Sequence, residues 1–250
     1  MPRQENQDRK VKPDELVSDR GVVKVKSVSC IAVALLGFIV LLGCGRAAAP
    51  ASLSPDQVQA ITAKAEKGDA EAQRTLGQAY AKGEGVPQDY KQAAKWYEKA
   101  ANQSNAVAQV AFGELCEAGQ GVTRDEAQAA SWYRRAAEQG YANAQYNLAA
   151  LYAVGKGVPL NNAEALKWYL QAANQGDPLA QFNVGMRYLE GHGVKPDPVA
   201  AYKWLSLAAD QHIPDAARAL ASLKDRISSE DQTKARSLIR EFKASSSAKR

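Results

Sequence analysis

The chain has 250 residues, 46% of them hydrophobic and 24% charged, which is ordinary for a soluble globular or repeat protein. Its net charge of +5 includes no dense block of lysine and arginine, and this argues against nucleic-acid binding. A low aromatic content of 7% together with abundant alanine favours helix over sheet.

The first 44 residues have the pattern of an export signal. Residues 28–43 carry no charge and follow Lys24 and Lys26, as an apolar region follows a positive one in such signals. The run ends in Leu-Leu-Gly-Cys at Cys44, which resembles a bacterial lipobox. We therefore expect lipidation at Cys44 and a periplasm-facing, membrane-anchored protein of the bacterial cell envelope. Two alternatives stay open, an uncleaved anchor, although spans usually take about 20 residues, and a cleaved soluble protein.

The segments on either side of the apolar run are polar or small. The extension 1–27 is long for a signal, and a start at one of the valine codons 22, 23 or 25 would give an ordinary length. N-terminal sequencing of the precursor tests this hypothesis. Residues 45–53 contain small residues and proline, which predicts a short flexible linker. Gly45 stands where an aspartate would favour retention in the inner membrane, so the outer membrane is preferred.

From Asp69 the sequence repeats every 36 residues without a gap. Ten positions are identical in all units, in the patterns Ala-Gln, Gly-x-Gly-Val, Ala-x-x-Trp and Ala-Ala-x-Gln, and all four tryptophans share one position. Self-similarity at this period is the signature of a solenoid. The four units are 69–104, 105–140, 141–176 and 177–212.

Each unit predicts two helices, A and B. Small and apolar residues recur at intervals of three and four in helix A, and Gly-x-Gly then ends it because glycine adopts positive φ. Four residues later an Asp or Asn predicts the N-cap of helix B. A glycine inside helix A, Gly77 in the first unit, costs about 1 kcal/mol against alanine and is expected to serve close helix packing. The tryptophan should fill the space between the helices.

Partial units are expected at both ends of the array. A capping box at 54–57 opens a helix that predicts an N-terminal cap. Residues 213–243 are expected to form a partial repeat whose last, polar helix begins at Ser229 and closes the array. The repeat domain thus extends over 54–243, and the tail 244–250 is expected to be disordered.

These motifs resemble the Sel1-like repeat family, a relative of the tetratricopeptide repeat. The resemblance implies an all-α fold, a right-handed α/α superhelical solenoid whose A helices line the concave face. It also implies protein–protein interaction. A cysteine-rich branch of the family has two cysteines per repeat and has been associated with β-lactam binding. The only cysteine within the units here is Cys116, so that property is not carried over.

The residues that could support chemistry are few. His192 lies in the Gly-x-Gly turn, where the other units carry Glu, Gln and Lys, and His212 ends a helix B. Cys116 takes the place of a core tyrosine, where a thiol acts as a small hydrophobe. No His, Cys and carboxylate cluster has metal-ligand spacing. We expect no catalytic residue, no metal and no cofactor.

A protein partner is expected at the variable positions of helix A. Units three and four place aromatic and amide side chains there, a combination that suits a peptide or protein segment. The alternative is that the two aromatic rings pack between adjacent helices. The candidate binding residues are Tyr146, Asn147, Phe182, Asn183 and Met186.

The sequence therefore predicts a non-enzymatic scaffold or adaptor of the bacterial envelope, held at the membrane by its N-terminal lipid or anchor. One alternative is an enzyme such as a β-lactam or peptidoglycan hydrolase, against which the missing nucleophile–base pair argues. Another is a surface-exposed or secreted factor that binds host proteins. The proteinase sensitivity of intact cells separates this last alternative from a periplasmic protein.

Overall fold

The computed structural model describes residues 53–247, and the predictions for the extension, the apolar run, Cys44 and most of the linker lie outside this range. Eleven helices and no strand make up the described part of the chain. The predicted all-α fold is confirmed. The helices are α1 Pro55–Glu66, α2 Ala70–Lys82, α3 Tyr90–Asn102, α4 Ala106–Ala118, α5 Glu126–Glu138, α6 Ala142–Val154, α7 Asn162–Asn174, α8 Pro178–Glu190, α9 Pro198–Asp210, α10 Pro214–Lys224 and α11 Ser229–Ser247.

The helices form a solenoid of four hairpins, each with an A helix and a B helix. The A helices are α2, α4, α6 and α8, and each packs most extensively on the B helix that follows it. The second-largest contact of each A helix is with the helix that precedes it. Each unit therefore packs mainly on its neighbours, as in other solenoids.

The Gly-x-Gly turn has two separate functions. Its first glycine, Gly119 in the second unit, ends helix A in the left-handed conformation. Its second glycine lies against the previous unit, since a Cβ atom on Gly121 would be 2.1 Å from the carbonyl oxygen of Tyr90. The predicted N-caps of helix B are confirmed, because each side chain accepts a hydrogen bond from a backbone N–H of the first turn. They are Asp89, Asp125, Asn161 and Asp197.

The glycine inside helix A allows close packing within a hairpin, as predicted. A Cβ atom on Gly77 would lie 2.7 Å from Cδ1 of Tyr97, and the same separation holds between Gly113 and Tyr133. The four tryptophans and most of the repeated alanines are buried between the helices. Trp132, for example, packs edge-on against Phe112, with the ring centroids 5.6 Å apart.

The two ends of the array are closed differently. The capping box at Ser54 is confirmed, and α1 contributes Ala65 to a core with Leu76 and Trp96. At the other end, α11 packs on α9, whereas α10 takes the position of a fifth A helix.

The last helix is longer than expected. Helix α11 continues to Ser247, although disorder is predicted from residue 244. Two contacts fix the helix close to this point. The ring of Phe242 packs on Trp204 with centroids 5.4 Å apart, and Lys243 Nζ donates to Asp210 Oδ2 at 2.7 Å. Both contacts lie just before residue 244, and the helix continues for one more turn beyond them.

Candidate partner-binding surface

A repeated pair of glutamines fixes each A helix in place. In the second unit, Gln109 Nε2 donates to the carbonyl oxygen of Ala101 at 3.1 Å, and Gln109 Oε1 accepts from Gln139 Nε2 at 2.8 Å. The same two bonds recur in every unit. The buried glutamine thus joins helix A to the B helices on both sides. Sequence reasoning missed this role, although an invariant amide among variable neighbours is its signal.

With the helices fixed in this way, one side of every A helix is left uncovered. We call the uncovered surface the A face. None of its side chains is buried. It consists of Glu71, Thr75, Gln78 and Lys82 on α2, Val107, Ala111, Glu114 and Ala118 on α4, Asn143, Asn147, Ala150 and Val154 on α6, and Leu179, Asn183, Met186 and Glu190 on α8.

Three of the five predicted binding residues lie on the A face. Asn147, Asn183 and Met186 are half-buried there, and Asn183 Nδ2 donates to the Leu179 carbonyl oxygen of its own helix at 2.9 Å. Their role in binding stays a prediction.

The two aromatic residues of the prediction lie deeper. Phe182 is only 9% exposed and packs in the core around α9, with Tyr202 and Leu205. Tyr146 is half-buried, with its ring 5.5 Å from that of Tyr169. The alternative is that the two rings pack between adjacent helices. Phe182 does so fully, and Tyr146 does so in part.

Two carboxylates lie next to each other on α4. Glu114 is exposed, and Glu117 Oε2 accepts a hydrogen bond from the Tyr133 hydroxyl at 3.1 Å. Although Glu114 is exposed, the helices around it displace part of the water near its carboxyl group, which raises its pKa, and the Glu117 carboxylate adds to that rise. Neither residue forms an ion pair with any other residue in the range 53–247.

The cysteine and the two histidines of the repeat domain lie apart from one another. Cys116 is fully buried, its Sγ donates to Gln128 Oε1 at 3.0 Å, and burial raises the pKa of the thiol to about 11. His192 is exposed in its turn, with Nδ1 3.2 Å from Glu190 Oε2, and His212 takes a positive φ after the end of α9. Within the described range, no three His, Cys, Asp or Glu side chains form a group that could hold a metal ion.

Comparison with known protein families identifies the same four repeats. The Sel1 repeat matches residues 70–105, 106–141, 142–177 and 178–212, and each match begins one residue later than the unit defined above. No curated protein matches. Over residues 53–247, no helix has the length and hydropathy needed to cross a membrane.

Two solved structures share the fold. One is c5321, a protective antigen present in uropathogenic Escherichia coli strains that displays an SLR fold; it is 38% identical over 68% of this chain, with a TM-score of 0.66. The present chain covers only 36% of the length of that antigen. The other is a Sel1 repeat protein from Oxalobacter formigenes, 35% identical over 67% of this chain and 69% of its own, with a TM-score of 0.64.

Proposed function

Because this chain belongs to the Sel1 repeat family, whose members generally mediate protein–protein interaction, we propose that it is a non-enzymatic scaffold that binds a protein partner through its A face. The observation that carries the proposal is the exposed, largely uncharged side of α4 and α6. Val107 and Val154 on these helices are 40% and 41% exposed. Val107 lies in the first turn of α4 and Val154 ends α6, and Ala111 and Ala150 lie on the same face. Apolar surface left exposed over several side chains marks interaction sites on soluble domains.

The non-enzymatic part of the proposal is supported by where the reactive side chains lie. The Cys116 thiol is buried, and its hydrogen-bond partner is an amide that cannot act as a base. Sel1 repeat proteins are typically non-catalytic scaffolds. A screen of the purified chain for β-lactam and peptidoglycan hydrolysis tests this part. Turnover of either substrate would overturn it.

The proposed location is the bacterial cell envelope, with an anchor at Cys44. Support comes from the sequence, in which the apolar run 28–43 ends at a lipobox-like cysteine. Metabolic labelling with an alkyne fatty acid tests it, because the wild-type chain should incorporate the label and Cys44→Ser should not.

Surface exposure is a second candidate for the location, and one observation favours it. The Escherichia coli relative is a protective antigen, and such an antigen is one that the host immune system meets. Proteinase treatment of intact cells separates the two locations. A surface protein is cleaved in intact cells, whereas a periplasmic protein is cleaved only after the outer membrane is permeabilised.

Site-specific photo-crosslinking in cells tests partner binding by the A face. A benzophenone amino acid replaces Val107 or Val154, and the control position is the exposed Ser131 on the outer side of α5. We expect a discrete protein adduct from both valine positions and none from Ser131. Adducts of equal yield from all three positions, or none from either valine, would contradict the proposal.

A further inference from the structure

The A face changes character along the solenoid. Helix α6 contains no charged residue over 13 residues, and α4 contains only Glu114 and Glu117. A helix at a protein surface ordinarily carries charged residues opposite its buried side. On α4 and α6 that opposite side is formed largely by alanine, valine and asparagine, and nothing in residues 53–247 covers it. These two helices therefore present the apolar centre of the A face.

Charge is arranged unevenly around this apolar centre. On α2, Arg74 forms an ion pair with Glu71, and Lys82 forms one with Glu84 at 3.6 Å. Glu114, at the middle of α4, has no such partner in the described range. Both cations of α2 thus already have an acidic partner, and the apolar centre keeps one exposed carboxylate.

The surroundings of Glu114 make that carboxylate sensitive to what covers it. Partial burial already disfavours its ionised form, and Glu117 one turn further adds a second negative charge. An apolar partner would remove the remaining water from Glu114 without replacing it, which costs free energy. An acidic partner would add repulsion. A lysine or arginine of the partner would supply the missing positive charge beside Glu114 and would also attract the Glu117 carboxylate.

We propose that the A face of α4 and α6 binds an apolar peptide segment that carries a lysine or arginine, whose side chain pairs with Glu114 while its apolar neighbours cover Val107, Ala111, Ala150 and Val154. The inference rests on the proposed function and names the chemistry of the partner. It moves the centre of binding from units three and four, where sequence predicts it, to units two and three.

Selection from a random dodecapeptide library, displayed on phage and panned against the full-length chain in mild detergent, tests the inference. We expect enriched peptides to carry lysine or arginine among apolar residues. The same library is panned against Glu114→Lys and against Glu138→Lys, a matched charge reversal at an exposed position on the outer side of α5. The enrichment of cations should disappear with Glu114→Lys and persist with Glu138→Lys.

The affinity of one enriched peptide, labelled for fluorescence anisotropy, gives the quantitative test. We expect about tenfold weaker binding to Glu114→Lys and a smaller loss with Glu114→Gln, which removes the charge without reversing it, whereas Glu138→Lys should be unchanged. Circular dichroism checks that every variant is folded.

Three results would overturn the inference: no enriched peptide, enriched peptides without a cation, or equal affinity for the two lysine variants. The proposed function fails by a different result, the absence of adducts at Val107 and Val154 in cells. If the valines form adducts but the enriched peptides lack a cation, the scaffold function still holds. Only the proposed cationic chemistry of the partner then fails.

Discussion

At the scale of single residues, the invariant glutamine of helix A joins its helix to the helices before and after it. Gln109 illustrates this, since its side chain joins Ala101 before it to Gln139 after it. The repeat pattern reveals the invariance of this glutamine but not its partners, because they are 8 and 30 residues away in sequence. In contrast, the N-caps and the first glycine of each turn are predictable, because their partners lie within a few residues.

Gln109→Leu removes both bonds while keeping a similar volume. The Ala101 carbonyl oxygen still accepts from the Ser104 N–H at 3.0 Å. Gln139 Nε2 still donates to the Arg135 carbonyl oxygen at 3.3 Å. Only the two bonds of Gln109 are lost, so we expect the free energy of unfolding to fall by about 1 to 2 kcal/mol. Urea denaturation followed by circular dichroism measures the loss. The control is Asn143→Ala at an exposed position, which should stay within about 0.5 kcal/mol of wild type. Equal effects of the two substitutions would contradict the role given to the glutamine pair.

Cys116 makes stability depend on pH in the alkaline range. Its pKa is raised to about 11 in the folded chain, so the folded state keeps the thiol proton more tightly than the unfolded state. The contribution of this thiol to the free energy of unfolding is fully present below its ordinary pKa. It is lost as the pH rises toward the pKa of the thiol in the folded chain. Between pH 8 and pH 10 the wild-type chain should lose about 1 kcal/mol more than Cys116→Ser. Denaturation curves that shift in parallel for both proteins would refute this.

At the scale of helices, the sequence predicts the first and last residues of most helices well. It predicts the tertiary contacts of the variable side chains less well. The periodicity gives every A and B helix, yet the burial of Phe182 depends on the sizes of α9 side chains such as Tyr202 and Leu205. Helix α11 is a second example. Its start at Ser229 follows from the sequence, whereas its packing on α9 depends on tertiary contacts.

The contact between α7 and α8 contains a buried arginine. Arg187 is 8% exposed, donates to Asn162 Oδ1 at 3.1 Å and lies over the ring of Tyr169. Burial lowers its pKa, which shows that the ion is poorly solvated there. Units two and three carry Leu115 and Leu151 at this position.

We expect Arg187→Leu to keep stability or to raise it by about 1 kcal/mol, because replacing a buried ion with a hydrophobic side chain often does so. Thermal unfolding checks this. A drop in stability of more than about 2 kcal/mol would mean that the arginine contributes more than its visible contacts indicate.

One aromatic contact joins the end of the last helix to α9. Phe242→Ala removes the ring that packs on Trp204, and we expect a loss of about 1 to 2 kcal/mol. Leu238→Ala on the same helix is the control, since this leucine is 39% exposed and should cost less. Melting temperatures of the two variants provide the measurement. A larger loss from Leu238→Ala would show that α11 packs differently.

At the scale of the whole molecule, the fold and the binding surface depend on different positions of the same repeat. The invariant positions build four equivalent hairpins, which is why the period alone predicts the solenoid. The variable positions of the A helices differ from unit to unit, from charged on α2 to uncharged on α6. The sequence prediction takes aromatic residues as binding candidates and so includes Tyr146 and Phe182. The exposed fractions of the side chains instead favour Val107 and Val154 as binding residues.

The central claim is that a protein partner binds the A face at α4 and α6. Calorimetric titration of the crosslinked partner, once purified, tests it most directly, with Val107→Ser/Val154→Ser compared with Leu238→Ser. We expect the double variant to bind about thirtyfold more weakly, since each of the two truncations removes about 1 kcal/mol of apolar contact, and the control to bind like wild type. Unchanged affinity of the double variant, in a chain that circular dichroism shows to be folded, would contradict the account.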